Sequence, residues 1–142
     1  MEITKELLQE YRSKKSEILE LDYILKNRWR DDGLVGNDVI LDYSRSYPPI
    51  PQGVVGFDQK EYERLQERDW RRKEQLEKEC AEIEEWVENI PDSLTRRIFR
   101  MCFIEGRRQK DVAKAVHLDR SSVSKKIDGY LQLSHNSHNS HL

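Results

Sequence analysis

Arg120, Ser121, Ser122, Ser124, Lys125 and Lys126 fall within seven consecutive positions that hold no acid, and Arg107, Arg108 and Lys110 stand a short segment earlier. Guanidinium and ammonium groups donate hydrogen bonds to phosphate oxygens and guanine edges, and a serine hydroxyl bonds a base edge or phosphate where the approach is close. The chemistry these residues offer is recognition of a polyanion. No arrangement for catalysis accompanies them. Gly33-Leu34-Val35-Gly36 and Gly53-Val54-Val55-Gly56 are too short for a phosphate loop and lack the following Lys-Ser/Thr. The pairs Asp31-Asp32 and Glu84-Glu85 read as solvated charge. His135, His138 and His141 recur at every third position and can chelate a transition metal, but no acid or Cys nearby completes a zinc set. The chain is expected to be no enzyme and to hold no cofactor and no metal.

The nine candidate residues need rigid elements behind them. Gln109 to about His117 reads as one helix, with Val112 and Val116 facing inward a turn apart and Ala113 small enough for a close helix crossing. Leu118 plugs a tight turn. Asp119 caps the next helix, whose inner face is Val123 and Ile127. This spacing is that of a helix-turn-helix, in which the first helix supports and the second enters the major groove of DNA. It places Arg120, Ser121, Ser122 and Lys125 near base edges, and Lys126, Arg107, Arg108 and Lys110 near the phosphate backbone, with Ser124 on the same outward face. Two positions depart from the common pattern. His117 stands where glycine is favoured by a left-handed backbone, and Arg108 stands where a Ser or Thr would cap the supporting helix.

Further upstream the chain is built of long helices. One runs from about Thr4 to Asn27 on the stripe Leu7, Tyr11, Ile18, Leu21 and Leu25, interrupted by Lys14 and widened by Leu8 and Ile24. Residues 28–57 form a Pro/Gly-rich connection. A second long helix starts at the cap Asp58, with Glu61 three residues on and Phe57 and Tyr62 in the staple positions, and continues to Ile90. Leu76, Cys80, Ile83, Val87 and Ile90 mark its seam. Asp69 and Arg72 break the seam, Trp86 lies at its edge and Trp70 lies off it, either as a partner surface or covered by the Pro-rich stretch. Pro91 stops the rod. A third helix, from Asp92 or Ser93 to Glu105, buries Leu94, Ile98, Met101 and Cys102 with Phe99 or Phe103, and Gly106 ends it as a left-handed cap.

The fold class is therefore all-α: a long helical hairpin or coiled coil over 1–90, a C-terminal helix-turn-helix domain over 91–133, and a flexible His/Ser/Asn tail over 134–142. Of the 142 residues, 37% are charged and 36% hydrophobic, which suits solvated helices better than a thick core. From Ser93 onward ten Lys/Arg meet four acids, leaving fifteen cations against twenty-three acids in the rest. A basic C-terminal third on an acidic body points to a polyanion partner at one end. Cys80 and Cys102 read as packing thiols in a reducing cytoplasm. No signal peptide and no membrane-spanning stretch is evident, so a cytoplasmic location is expected.

The run from Ile90-Pro91 to Ile127 resembles region 4 of the sigma-70 superfamily, on Pro91, Arg97, Ile98, Phe103, Gly106, Val112, Ala113, Leu118 and Val123. The wider arrangement, a charged helical segment followed by Ile90-Pro-Asp-Ser-Leu-Thr-Arg-Arg-Ile-Phe-Arg-Met101, is similar to small sigma-like proteins of phages and prophages in Gram-positive bacteria. The resemblance implies promoter recognition and contact with RNA polymerase. Nothing in residues 1–90 resembles the aromatic, basic promoter-melting domain of a working sigma factor, so a DNA-bound regulator is expected in preference to a protein that opens promoters alone. The expected partners are double-stranded DNA, RNA polymerase, and a second copy of the chain through the long helices. Two other functions fit the same features: the DNA-recognition subunit of a phage packaging complex, like a small terminase, and an accessory protein that holds RNA polymerase through its acidic coil.

Overall fold

Thr4 opens the first helix, its hydroxyl accepting the backbone N–H of Leu7 at 3.2 Å in the manner of an N-cap. A computed structural model describes residues 2–31, 40–42, 50–52 and 58–139 of the chain. Their regular elements are α1 (Lys5–Asp31), the strands β1 (Ile40–Asp42) and β2 (Ile50–Gln52), α2 (Gln59–Glu88), α3 (Ser93–Phe99) with a π-helical turn (Arg100–Ile104) directly after it, α4 (Gln109–Val116) and α5 (Arg120–Asn139). The class is all-α, with one short antiparallel ribbon that sets Ile40 opposite Gln52 and Asp42 opposite Ile50. The ribbon falls within the Pro/Gly-rich connection. Of that connection, residues 32–39, 43–49 and 53–57, the last with the staple residue Phe57, lie outside the described residues, and residues 28–31 belong to α1. Among the described residues no helix is long and apolar enough to cross a membrane.

The chain divides into two compact units, and the division cuts both long helices. One unit holds Lys15–Lys78, the other Met1–Lys14 with Glu79–Leu142.

In the Lys15–Lys78 unit, α1 and α2 run antiparallel. Lys73 binds Asp22 at 3.0 Å, and Gln66 donates to the Leu25 carbonyl at 3.0 Å. Arg28, 2% exposed, pairs with Asp69 and donates to Gln66 Oε1 at 2.9 Å. Arg68 also binds Asp69, at 2.9 Å. Burial alone would raise the Asp69 pKa, but the hydrogen bonds from Arg68 and Arg28 outweigh it and hold the carboxyl below its ordinary range. These contacts account for Asp69 in the polar break of the α2 seam, and Arg72 is exposed. They also extend α1 to Asp31, four residues beyond the expected end, because Arg28 has a buried partner to reach. Asp58 caps α2 as expected, accepting the Glu61 N–H at 3.0 Å, and Tyr62 is buried. Trp70 is 53% exposed, and Leu19 and Tyr23 are exposed one turn apart.

In the other unit, the α2 seam is buried through Cys80, Ile83, Val87 and Ile90. The helix ends at Glu88, and Arg96 donates to the Ile90 carbonyl at 2.8 Å. Asp92 caps α3, accepting from the Thr95 N–H at 2.9 Å and the Thr95 hydroxyl at 2.7 Å. Those bonds, with Lys126 and Arg96 nearby, hold its pKa down. The expected inner face of the third helix needs correction. Thr95, Ile98, Phe99, Met101 and Phe103 are buried, whereas Leu94 and Cys102 are only half-buried. For Cys102 the cause is the π turn, in which Glu105 N–H reaches the Arg100 carbonyl five residues back at 2.9 Å; Leu94 lies upstream of it, in the first turn of α3. The extra residue in the turn rotates the buried face. Neither cysteine is in a disulfide, and burial pushes the Cys102 thiol up to about 11.

An aromatic cluster ties α2, α3 and α5 together. Trp86 meets Phe99 and Tyr130 edge-on at 5.6 Å each, and Phe99 meets Tyr130 and Phe103 at 5.5 Å each. Such tilted pairs add about 0.5–1.5 kcal/mol each beyond their area burial. The start of α1 belongs to this unit. The Tyr11 hydroxyl donates to Glu84 at 2.8 Å, and Lys14, which interrupts the apolar stripe, pairs with Glu79 at 3.2 Å. Burial first, and then Glu84, raise the Tyr11 pKa. Lys5 binds Asp128 at 3.0 Å, and His135 Nε2 lies 3.1 Å from the Ile3 carbonyl. The Ser/His/Asn repeat, expected as a flexible tail, continues α5 as far as Asn139.

Candidate nucleic-acid interface

α4 buries Val112, Ala113 and Val116. Its start is weakly held, as Arg108 offers no side-chain cap. Its end is closed by two bonds: Leu118 N–H to the Ala113 carbonyl at 2.9 Å, and His117 N–H to the Lys114 carbonyl at 3.3 Å. This closure requires a left-handed residue in the C′ position, and His117 takes it with φ 59° and ψ 40°. The turn thus adopts the backbone that glycine would favour, with histidine in its place.

Asp119 begins α5. Its Oδ1 accepts the Ser122 N–H at 2.7 Å and the Ser121 hydroxyl at 3.0 Å. Ser122 first, then Ser121 and the nearby Lys125, hold the Asp119 carboxyl below its ordinary range. The inner face is Val123, Ile127 and Leu131, all buried. The helix start is therefore anchored on both sides, by the closed α4 end and by its own cap.

The nine candidate side chains divide by their partners. Arg107 binds Glu105 at 2.9 Å, and Arg108 faces Asp111 at 3.5 Å. Arg120, Lys125, Lys126 and Lys110 are exposed and enter no salt bridge among the described residues. Ser121 is exposed, while Ser122 and Ser124 are half-buried. The Ser121 hydroxyl and the Ser122 N–H both turn onto Asp119, so the Ser121 hydroxyl is engaged in the cap while its oxygen lone pairs stay open to a donor. Ser121 and Lys125 are four residues apart and share a face. Lys126 sits on the flank of α5 where its charge reaches Asp92. The set can meet an anion with unneutralised cations on α5 and partly neutralised ones at the start of α4.

Several supporting residues gave no local sign of their role. Arg12 donates to the carbonyls of Ile104 and Glu105, and Lys5, Trp86, Phe99 and the Ile3 carbonyl hold α5 from elements distant in sequence, through Asp128, Tyr130 and His135. Among the described residues no three His, Cys, Asp or Glu side chains gather as a metal would need. The side chains of His138 and His141 lie outside the described residues. Comparison with protein-family models, curated proteins and solved structures finds no match.

Proposed function

We propose that this protein is a sequence-specific DNA-binding regulator of transcription. On this reading α4, the His117–Asp119 turn and α5 form a helix-turn-helix of the sigma region 4 type, and α1 with α2 forms a helical hairpin that carries it. The observation supporting the reading most directly is the start of α5. Arg120, Lys125 and Lys126 are exposed and enter no salt bridge among the described residues, on a helix whose N-terminus is fixed by Asp119 and whose inner face is buried. Exposed cations held by a rigid support match a phosphate- and base-edge-reading surface better than a purely structural one. The acidic remainder of the chain opposes non-specific wrapping of a polyanion.

The genes controlled would be those of a phage or mobile element, and RNA polymerase is a second partner on the same reading. Two copies joined through the long helices would place two readers one or more DNA turns apart, so an inverted or spaced repeat is the expected site. Selection of bound duplexes from a random pool at a stated salt concentration tests this. Enrichment of one sequence supports sequence-specific binding, and a pool that stays random contradicts it.

A further inference from the structure

Gly129 stands in the middle of the 20-residue helix α5. A Cβ at this position would meet nothing within 4 Å, and the residue is not in the left-handed region. Neither packing nor backbone conformation requires glycine here, and the helix is weaker for it. Glycine also serves where another molecule must approach a backbone closely.

The neighbours of Gly129 point to that use. Ser121, Lys125, Gly129, Gln132 and Asn136 follow one another at helical steps on one exposed face. Two acids border this stripe: Asp119 accepts the Ser121 hydroxyl at 3.0 Å within the helix cap, and Asp128 is tied by Lys5 at 3.0 Å. Gln132 Nε2 donates to Asn136 Oδ1 at 3.3 Å, which holds the two amides side by side. A carboxamide can bond adenine through N6 and N7 at once. Ser121 to Gln132 spans about 17 Å at 1.5 Å per residue, short enough to lie along a major groove.

We propose that the DNA-contact surface continues past Lys126. The duplex comes against the α5 backbone at Gly129, Gln132 reads a base edge, and Asn136 meets the groove wall. This rests on the helix-turn-helix reading above, and a set of full-length variants separates the two. With a duplex selected by the wild-type chain, fluorescence anisotropy is compared for Gly129→Ala, Gln132→Ala and Lys125→Ala. Gly129→Ala should raise the melting temperature by a few degrees yet weaken binding roughly tenfold. Gln132→Ala should lose roughly tenfold of preference at one base pair apart from those governed by Arg120. If both bind and discriminate like wild type while Lys125→Ala is weakened, the extension is overturned and the helix-turn-helix reading stands. If Lys125→Ala is unaffected as well, both fall.

Discussion

Arg12 lies across Gly106. Its guanidinium donates to the carbonyls of Ile104 and Glu105 at 3.3 and 3.0 Å, and its Cδ and Nε occupy the space a Cβ at position 106 would fill. Gly106 is itself left-handed, with φ 71°. One glycine thus meets two demands, a backbone conformation and a close approach, and the start of the chain closes the last turn before α4.

Gly106→Ala should cost at least about 2 kcal/mol, since left-handed strain and displacement of Arg12 add. Arg12→Ala should cost about 1 kcal/mol through two lost hydrogen bonds. The two changes should not sum. In an Arg12→Ala background the alanine at 106 finds open space, and only the backbone strain remains. Denaturant titrations of the four proteins of this cycle measure the coupling.

The Arg28–Asp69 pair is buried on both sides, with side chains 2% and 10% exposed. Removing one partner strands the other charge. Asp69→Ala should therefore destabilise by about 3–5 kcal/mol, whereas Arg28→Met with Asp69→Leu should return to within about 1 kcal/mol of wild type. A double variant as unstable as the single one would show that the ion pair itself holds the two helices.

The Asp119 cap makes stability depend on pH. Its folded pKa lies below the ordinary carboxylate value, so its contribution is complete above about pH 4 and is lost as the pH falls through the folded pKa. Asp119→Asn keeps an acceptor for the Ser122 N–H and does not titrate. Between about pH 2 and 5 its melting temperature should fall less steeply than that of wild type. Parallel curves would contradict this role for the cap.

His117→Gly should stabilise the chain by about 1 kcal/mol, because the left-handed conformation penalises a side chain and not glycine. DNA affinity should be unchanged. A loss of stability would show that the His117 side chain contributes more than the strain removes.

Much of this architecture was legible in residue types. Leu76 to Ile90 repeats at helical spacing and is buried. Asp58 and Asp119 are cap residues followed by helix, and both accept the expected backbone bond. Gly106 marked a left-handed stop, and Val112, Ala113, Val123 and Ile127 marked two inner faces. What escaped depends on partners far away in the chain. A hydropathy pattern reads Arg28 as exposed, since it cannot show Asp69 waiting 41 residues on. The π turn after Phe99 is a change of hydrogen-bond pattern that no residue type announces. Arg12 reaches carbonyls 92 and 93 residues away. Ser134 to Asn139 are weak helix formers, yet they continue α5, and within that stretch His135 meets the Ile3 carbonyl.

The proposal stands or falls on whether the exposed start of α5 enters duplex DNA. The most direct measurement is the affinity of wild type, Arg120→Ala and Lys126→Ala for a selected and a scrambled duplex across a salt series. Arg120→Ala should lose about 1–3 kcal/mol on the selected duplex alone and relax its base preference. Lys126→Ala should weaken both duplexes alike and flatten the log-log salt slope by about 0.9. Wild-type affinity and slope in both variants would contradict the assignment of this helix face to DNA.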